Sequence, residues 1–293
     1  MSERGAVALL GVGRMGAAMV GTLRRAGFDV VVWNRTASKA DAVATATGAA
    51  VAATPAEAAS RASIVLSMLA DDASVVEVLL AASEGLSSGS VVVDMSTIDP
   101  STLSMVVSAI EEAGAALLDA PVSGSVPQVE AGALTIMVGG NPDALDRVRP
   151  VFDVLAANVL HLGELGSGAT MKLAVNSMIH SINVAVSEAL VLAEKSGVDR
   201  HRAYEVIATS AAAAPYVHYK RRAFENPDEM DVAFNLDLVA KDLDLILGLA
   251  DRVGAPVAQS HVNREVVGRA IAAGLGDQDL SAVASHLRST PRA

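Results

Sequence analysis

Short apolar runs alternate with alanine-rich stretches through the first half of this chain. Each run is about five residues long and nearly all apolar, which is typical of strands covered on both faces in a parallel sheet. The alternation predicts an α/β fold that begins with a doubly wound Rossmann sheet. The predicted strands are Ala6–Leu10, Asp29–Trp33, Ile64–Met68, Val91–Asp94, Ala116–Asp119 and Leu134–Val138, and the helices between them include Arg14–Ala26 and Pro55–Ala59.

The pattern changes after Gly163, where strand-like runs stop. The 28 residues of Ala169–Ser196 contain neither Pro nor Gly, so they predict a helix roughly 40 Å long. Its interior has few charges, and we expect most of its circumference to be buried, in part against a second subunit. The chain should therefore comprise a Rossmann domain (residues 1–164), joined by this helix to an all-α domain (165–293) for substrate binding and dimerisation. We expect a homodimer or homotetramer.

Charge and composition exclude several classes of protein. A net charge of -11 argues against a nucleic-acid partner. The chain has no cysteine, which rules out a disulfide framework and thiolate metal ligands, and no His, Asp and Glu residues have metal-binding spacing, so no metal is expected. No apolar run approaches 18 residues, and the first is too short for a signal peptide. We expect a cytoplasmic protein without a membrane partner.

A glycine-rich turn follows the first predicted strand and opens a helix. Its first glycine permits a tight turn, its second lets backbone approach a pyrophosphate, and its third lets helix and strand pack closely. Such a turn also occurs without a ligand, but its place after an N-terminal strand, with a second strand ending at Trp33, predicts a dinucleotide site. The turn consists of Gly11, Val12, Gly13, Arg14, Met15 and Gly16.

The residues after the second strand predict which dinucleotide binds. An NAD site generally places Asp or Glu here to hold the ribose 2′-hydroxyl, whereas this chain has Asn34, Arg35 and Thr36. An amide, a guanidinium and a hydroxyl can each donate to a 2′-phosphate, so NADP(H) is favoured. NAD(H) remains possible if Arg35 lies in a solvated turn.

Lys172 and Asn176 are four residues apart in the long predicted helix, so their side chains share one face. An ammonium beside an amide on an apolar segment is costly unless it faces a cleft, where a lysine can exchange a proton with an alcohol or carbonyl oxygen. A lysine that extends its ammonium to water is an equally good interpretation of this pair alone.

Several motifs together resemble the β-hydroxyacid dehydrogenase family, which includes 3-hydroxyisobutyrate dehydrogenases, tartronate semialdehyde reductases and succinic semialdehyde reductases. The resemblance runs in order from about residue 5 to residue 285. It implies an NADP(H)- or NAD(H)-dependent oxidoreductase that acts on a small carboxylate-bearing 3-hydroxy or 4-hydroxy acid, or on the matching semialdehyde. The motifs are Gly11–Gly16, Asp94–Thr97, Asp119–Gly124, Gly166–Gly168 with Lys172 and Asn176, and Lys241–Leu243.

The resemblance also implies a role for individual residues. Lys172 would be the general acid/base, and Asn176 would orient the substrate. Ser123 and the Gly124 amide would hold the substrate carboxylate, which a Ser-Gly turn can do because its donors converge. The remaining residues, Met68, Leu69, Thr97 and Lys241, would line the cofactor path, with Thr97 also facing the substrate and Lys241 the nicotinamide side.

Each residue also has a simpler interpretation taken alone. Thr97 could cap a helix, Ser123 and Gly124 could form a bare turn, and Lys241 could pair with Asp242 at the surface. The chain departs from the family pattern at Ser125, where a second glycine is common, and at Val175, where Asn is common. The first departure is expected to reshape the carboxylate pocket and the second to alter packing.

Two other functions remain open at this stage. Imine reductases share this architecture but typically carry Asp or Tyr where this chain has Lys172. A catalytically silent dehydrogenase-like module that binds other proteins is the second alternative. We expect His161 and His180 to be satisfied structural histidines. The segment Thr209–Phe234, with Tyr216, His218, Tyr219 and Arg221, is expected to contribute to the pocket or its rim.

Overall fold

The computed structural model describes residues 5–227, 232 and 234–290. The chain divides into two compact units, Met1–Lys172 and Leu173–Ala293. The division falls inside the long helix Ser167–Lys195. A domain boundary after residue 164, just before this helix begins, stays a prediction.

The described residues of the first unit are built on a nine-stranded sheet. Its strand order is β3-β2-β1-β4-β5-β6-β8-β7, and β9 pairs with β8. The strands are β1 (Ala6–Leu10), β2 (Asp29–Trp33), β3 (Ala50–Val51), β4 (Ile64–Ser67), β5 (Val91–Asp94), β6 (Ala116–Asp119), β7 (Val122–Ser123), β8 (Leu134–Gly140) and β9 (Ala156–Gly163).

The first six strands are parallel and have the 3-2-1-4-5-6 order of the Rossmann fold, so the predicted fold class is confirmed. The expectation of a parallel strand at Leu134–Val138 is wrong for its pairing with β6, because β8 runs antiparallel to both β6 and β7. The chain continues from β6 into β7 and then returns along both as β8. A direct return of this kind produces antiparallel pairing.

Helices cover both faces of this sheet, as the short apolar runs predicted. Leu9 packs into one apolar cluster, while its neighbours Ala8 and Leu10 pack into another on the opposite face. The helices are α1 (Arg14–Arg25), α2 (Ala37–Thr47), α3 (Pro55–Ser60), α4 (Asp72–Ser83), α5 (Val107–Glu112), which follows a 3₁₀ segment at Pro100–Met105, α6 (Val126–Glu130) and α7 (Pro142–Leu155).

The carboxyl ends of five strands lie in one row. Strand pairing places Trp33 beside Leu10, Leu10 beside Ser67, Ser67 beside Asp94, and Asp94 beside Asp119. The loops that follow these strands therefore start from a single edge of the sheet. In open α/β sheets this edge is where ligands bind.

A buried carboxylate ties the next long helix to this edge. Asp119 accepts hydrogen bonds from the backbone N–H groups of Gly166 (2.7 Å) and Ala169 (2.6 Å), at the start of α8 (Ser167–Lys195). The negative charge of the Asp119 carboxylate also complements the positive, N-terminal end of the helix dipole. Gly168 fits here because a Cβ would collide with the Met137 carbonyl oxygen.

The second unit is helical, and no strand is assigned to its described residues. The predicted all-α second half is confirmed. Its core includes Leu173, Leu190, Tyr204, Phe224 and Leu243. After α8, its helices are α9 (Arg200–Thr209), α10 (Pro215–Glu225), α11 (Leu236–Val253), α12 (Ala258–Ala270), a π-helical turn at Ile271–Leu275, and α13 (Ala282–Ser289).

Helix α8 is less buried within the chain than we expected. Met178 is 64% exposed and Leu192 is 71% exposed. Buried residues of α8 include Leu173, Val184 and Leu190. By length and composition this helix could also span a membrane, a criterion that the core helix of a soluble protein meets equally well.

A buried ion pair links α10 to the loop before α13. The Lys220 ammonium lies 2.7 and 2.8 Å from the two carboxylate oxygens of Asp279. The backbone N–H and the hydroxyl of Ser281 also donate to Asp279. Burial raises the pKa of Asp279, but the Lys220 charge and these hydrogen bonds outweigh it and lower the pKa below its usual value.

We expect Asp119→Ala to lower the free energy of unfolding of the first unit by about 2–5 kcal/mol. The substitution leaves two buried N–H groups without acceptors, each costing about 1–3 kcal/mol. Asp119→Asn keeps one acceptor and should lower the free energy of unfolding by a smaller amount. Urea unfolding followed by the fluorescence of Trp33, the only tryptophan, measures this unit. Exposed Asp153→Ala is the control, and an equal loss in that variant would contradict the role given to Asp119.

We expect Lys220→Met to destabilise the second unit by about 3–5 kcal/mol at pH 7, because it removes the charge that pairs with the buried Asp279 carboxylate. A carboxyl whose folded pKa is depressed contributes stability above its unfolded pKa and loses it as pH falls through the folded value. The difference between wild type and variant should therefore shrink below about pH 4. Hydrogen exchange of α10 at both pH values measures it, and a difference independent of pH would contradict this account.

Candidate active site

The glycine-rich turn lies between β1 and α1 at the row of strand ends. Gly11 has a φ of +97°, and a Cβ there would collide with the Met68 carbonyl oxygen. A Cβ on Gly16 would collide with the Gly11 carbonyl oxygen. The first and third glycines therefore permit the turn and the close packing that their positions predicted.

The second glycine faces open space. Gly13 is exposed, and a Cβ built on it would meet no described atom within 4 Å. It also precedes α1, whose first turn contains no acidic residue and whose N-cap makes no side-chain hydrogen bond. Helix N–H groups presented in this way attract phosphate. The geometry fits the pyrophosphate of a dinucleotide.

Asn34 has a structural role that its position did not reveal. Its carbonyl Oδ1 accepts a hydrogen bond from the Val12 N–H (3.1 Å), and its amide Nδ2 donates to the Thr36 carbonyl oxygen (3.0 Å). The side chain thus joins the glycine-rich turn to the loop after β2. Arg35 and Thr36 are exposed on this loop, next to the turn.

Asp94 joins the ends of β4 and β5 to the loop between β4 and α4. Its Oδ1 accepts hydrogen bonds from the hydroxyls of Ser67 (2.6 Å) and Ser96 (2.8 Å), and Ser96 accepts one from the Leu69 N–H (2.9 Å). Burial, with a smaller contribution from the charge of Asp119 on β6, raises the Asp94 pKa to about 6 against the lowering effect of these hydrogen bonds. Met68, Leu69 and Thr97 are half-buried around this group.

Ser123 and Gly124 lie where β7 ends and the chain turns into α6. Gly124 has a φ of +138°, and a Cβ there would collide with Leu134. Ser125, where the family commonly has glycine, caps α6. Its N–H and its hydroxyl both donate to the side-chain Oε1 of Gln128, at 2.9 and 2.5 Å. The Ser123 hydroxyl and the Gly124 amide stay predicted as substrate ligands.

Lys172 lies in the second turn of α8, three residues after Ala169, whose N–H binds Asp119. It is half-buried and belongs to the first unit. The residue predicted to exchange protons is therefore held one helical turn from the end of β6. Ser123 follows the same strand by four residues.

A polar cluster lies between α8 and α11 inside the second unit. The Asn176 amide Nδ2 donates to Asp242 Oδ2 (2.7 Å), and the Lys241 ammonium lies 3.1 Å from Asp242 Oδ1. Asp242 and Asn176 are both buried. Asp242 therefore holds both residues of this unit that the resemblance placed near substrate or nicotinamide. Its role could not be inferred from sequence, because it depends on a contact 66 residues away.

His161 and His180, both expected to be satisfied, differ in their hydrogen bonding. His161 Nε2 lies 2.7 Å from the Gly140 carbonyl oxygen, as expected of a structural histidine. His180 is buried and stacks on Phe234, but neither ring nitrogen has a hydrogen-bond partner among the described residues. Its Nε2 lies 3.8 Å from Asp242 Oδ2. The expectation that His180 is satisfied was wrong.

The segment predicted at the pocket or its rim is only partly described, because residues 228–231 and 233 lie outside the described residues. Tyr216 is buried and donates from its hydroxyl to Asn183 Oδ1 (2.7 Å). Arg221 forms ion pairs with Glu205 and Glu225. These two side chains are engaged within the second unit, and their predicted role in a pocket stays a prediction.

Two protein-family models match the chain. Residues 6–163 match the NAD-binding domain of 6-phosphogluconate dehydrogenase. Residues 166–287 match the NAD-binding domain of NADP-dependent 3-hydroxyisobutyrate dehydrogenase. Together they cover both units and meet close to the start of α8.

Known proteins are similar over nearly the whole chain. Glyoxylate/succinic semialdehyde reductase 1 of Arabidopsis thaliana is 36% identical over 280 residues, which cover 94% of this chain and 96% of that protein. The 3-sulfolactaldehyde reductase of Escherichia coli (strain K12) is 30% identical and covers 97% and 96%. The structure of Mycobacterium tuberculosis 3-hydroxyisobutyrate dehydrogenase with L-serine has a TM-score of 0.86 at 31% identity, covering 97% of this chain and 99% of that one.

These similarities confirm the expected enzyme class and a nicotinamide dinucleotide cofactor, and they agree with a glycine-rich turn that fits a pyrophosphate. The chain belongs to the 3-hydroxyisobutyrate dehydrogenase family of NAD(P)-dependent oxidoreductases acting on CH–OH groups.

Proposed function

We propose that this protein transfers a hydride between NADP(H) and a small 3-hydroxy or 4-hydroxy acid, or the matching semialdehyde, with Lys172 as general acid/base. NAD(H) is the alternative cofactor to NADP(H). The observation that carries this proposal is the position of Lys172 on α8, one turn after the backbone groups that Asp119 holds at the strand ends.

The loops at the sheet edge support the choice of cofactor. The open Gly13 and the uncapped start of α1 suit a pyrophosphate. Arg35 and Thr36 are exposed beside this turn, and no carboxylate stands at the position after β2 that would repel a 2′-phosphate. When bound, the nicotinamide supplies or accepts the hydride, while the protein provides position and charge.

Lys172 handles the proton. In the direction of reduction its ammonium donates a proton to the carbonyl oxygen as the carbon receives the hydride, which leaves an alcohol and a neutral amine. In oxidation the neutral amine takes the hydroxyl proton while the hydride leaves. Asn176, whose amide is fixed by Asp242, orients the reacting group from one turn further along the helix.

A carboxylate on the substrate would bind Ser123 and Gly124. A hydroxyl and a backbone amide at the end of a strand suit an anion. The relatives whose names include succinic semialdehyde, 3-sulfolactaldehyde and 3-hydroxyisobutyrate indicate a small anionic aldehyde or alcohol. A panel of 3-hydroxyisobutyrate, 3-hydroxypropionate, serine, tartronate semialdehyde, succinic semialdehyde and 3-sulfolactaldehyde, each with both cofactors, tests the substrate class.

Cyclic imines belong in the same panel. Turnover of imines without turnover of any hydroxy acid or aldehyde would replace this proposal with an imine reductase. Tight NADPH binding without turnover of any compound would instead favour a dehydrogenase-like module without catalytic activity.

We expect Lys172→Ala to lower kcat by about 10²- to 10⁴-fold, which is the usual contribution of a general acid or base. The dissociation constant for NADPH should stay within about twofold, since the variant retains the glycine-rich turn. Lys39→Ala removes an exposed lysine from α2 and is the matched control. Activity in Lys172→Ala equal to that of the control would refute the assigned acid/base.

We expect Arg35→Ala to raise KM for NADP⁺ by about 10- to 100-fold, because a charge-assisted hydrogen bond to phosphate contributes about 1.5–3 kcal/mol. KM for NAD⁺ should change little, as NAD⁺ has no 2′-phosphate. The comparison is with Arg147→Ala, which removes an exposed arginine from α7, measured with both cofactors. Equal increases for NADP⁺ and NAD⁺ would show that Arg35 does not read the 2′-phosphate.

A further inference from the structure

The Asp94 carboxyl is buried in the row of strand ends, between Ser67 and Asp119. Two hydroxyls donate to its Oδ1, while its Oδ2 has no hydrogen-bond partner among the described residues. A half-satisfied buried carboxyl does not favour folding, and burial accordingly raises its pKa to about 6. A buried polar group that does not favour folding is often retained because it serves function.

The hydrogen bonds of Asp94 reach a peptide that packs against the glycine-rich turn. Ser96 donates to Asp94 and accepts from the Leu69 N–H, so the carboxyl fixes the position of the Met68–Leu69 peptide. The Met68 carbonyl oxygen in turn lies so close to Gly11 that a Cβ there would collide with it. A shift of this peptide would therefore press on the turn that fits a pyrophosphate. Thr97 directly follows Ser96 and would move with it.

A second set of hydrogen bonds connects the segment after β4 to the segment after β5. Asp72 Oδ1 accepts hydrogen bonds from the Asp99 N–H (2.8 Å) and from the Thr102 hydroxyl (2.5 Å). Losing Asp94 should therefore loosen Leu69 and Thr97 without detaching the loops. The effect should be seen in ligand binding more than in folding.

We propose that Asp94 is a positioning residue for the nicotinamide cofactor, acting through Ser96 on the Met68–Leu69 peptide and Thr97. The proposal rests on the proposed function only in that these residues line the cofactor path. Asp94 is 1% exposed and acts through Ser96, so its assigned role is positioning and not catalysis.

The test compares four variants by NADPH fluorescence titration and steady-state kinetics. Asp94→Ala and Ser96→Ala both break the link to Leu69 and should raise the NADPH dissociation constant and KM for NADP⁺ by about tenfold, the effect of losing one well-placed hydrogen bond. At saturating cofactor, kcat should fall less than about threefold. Asp94→Asn keeps an acceptor for both hydroxyls and should restore binding to within about threefold of wild type.

Ser67→Ala is the matched control. It removes the other hydroxyl that donates to Asp94 but leaves the Asp94–Ser96–Leu69 link intact, so its NADPH affinity should stay near that of wild type. If Ser67→Ala and Ser96→Ala weaken binding equally, or if Ser96→Ala and Asp94→Ala leave it unchanged, the proposal is wrong. A failure of Asp94→Asn to restore affinity also overturns it.

Binding is measured without substrate, so this result is separate from the role of Lys172. Wild type that binds NADPH while Lys172→Ala keeps full activity would refute the proposed acid/base alone. Wild type that binds neither NADPH nor NADH would overturn both the cofactor site and the role of Asp94.

Discussion

The attachment of α8 to the sheet is the contact on which the candidate active site depends. Asp119 ends β6 and accepts hydrogen bonds from the N–H of Gly166, which precedes α8, and from the N–H of Ala169 in its first turn. Burial raises the pKa of this carboxyl even though the N–H groups of Gly166 and Ala169 act to lower it. The sheet edge and the helix that carries Lys172 are thus joined by a carboxylate with fixed donors, where a flexible loop would otherwise set the distance.

The loops at this edge are held in the same manner. Asn34 bonds the turn after β1 to the loop after β2, and Asp94 bonds the loop after β4 to the end of β5. In the second unit, Asp242 holds Asn176. Short acidic or amide side chains recur at these points. Asn34 and Asp94 accept from backbone or hydroxyl donors, and Asp242 accepts from the Asn176 amide. Rigid supports of this kind keep ligand-contacting groups in place with little loss of conformational entropy on binding.

Sequence patterns predicted the fold where the structure is locally determined. Strands such as Val91–Asp94 are buried on both faces, so they are apolar throughout and recognisable. The bounds of the edge strand β9 were not predicted, because most of its residues are exposed and its composition is mixed. The strands β3 and β7 contain only two residues each, too few to show a periodicity. The antiparallel direction of β8 depends on its partners, which its own residues do not specify.

The features of the candidate site also differ in whether the sequence alone could predict them. Glycine spacing and the four-residue interval between Lys172 and Asn176 could be read from the chain, because both follow from turn and helix geometry. The supporting roles of Asp94, Asp119 and Asp242 could not, since each depends on partners brought together by folding, in two cases more than 45 residues away. Motif matching included these residues without indicating what they hold.

The continuity of α8 has a consequence for how this protein can vary. Lys172 and Asn176 keep their mutual offset through a single run of intrahelical hydrogen bonds. One residue inserted between them would rotate Asn176 by about 100° around the helix axis and separate it from Asp242. Insertions and deletions should therefore accumulate in the connecting loops and be absent from these five positions, where chain length itself is under constraint.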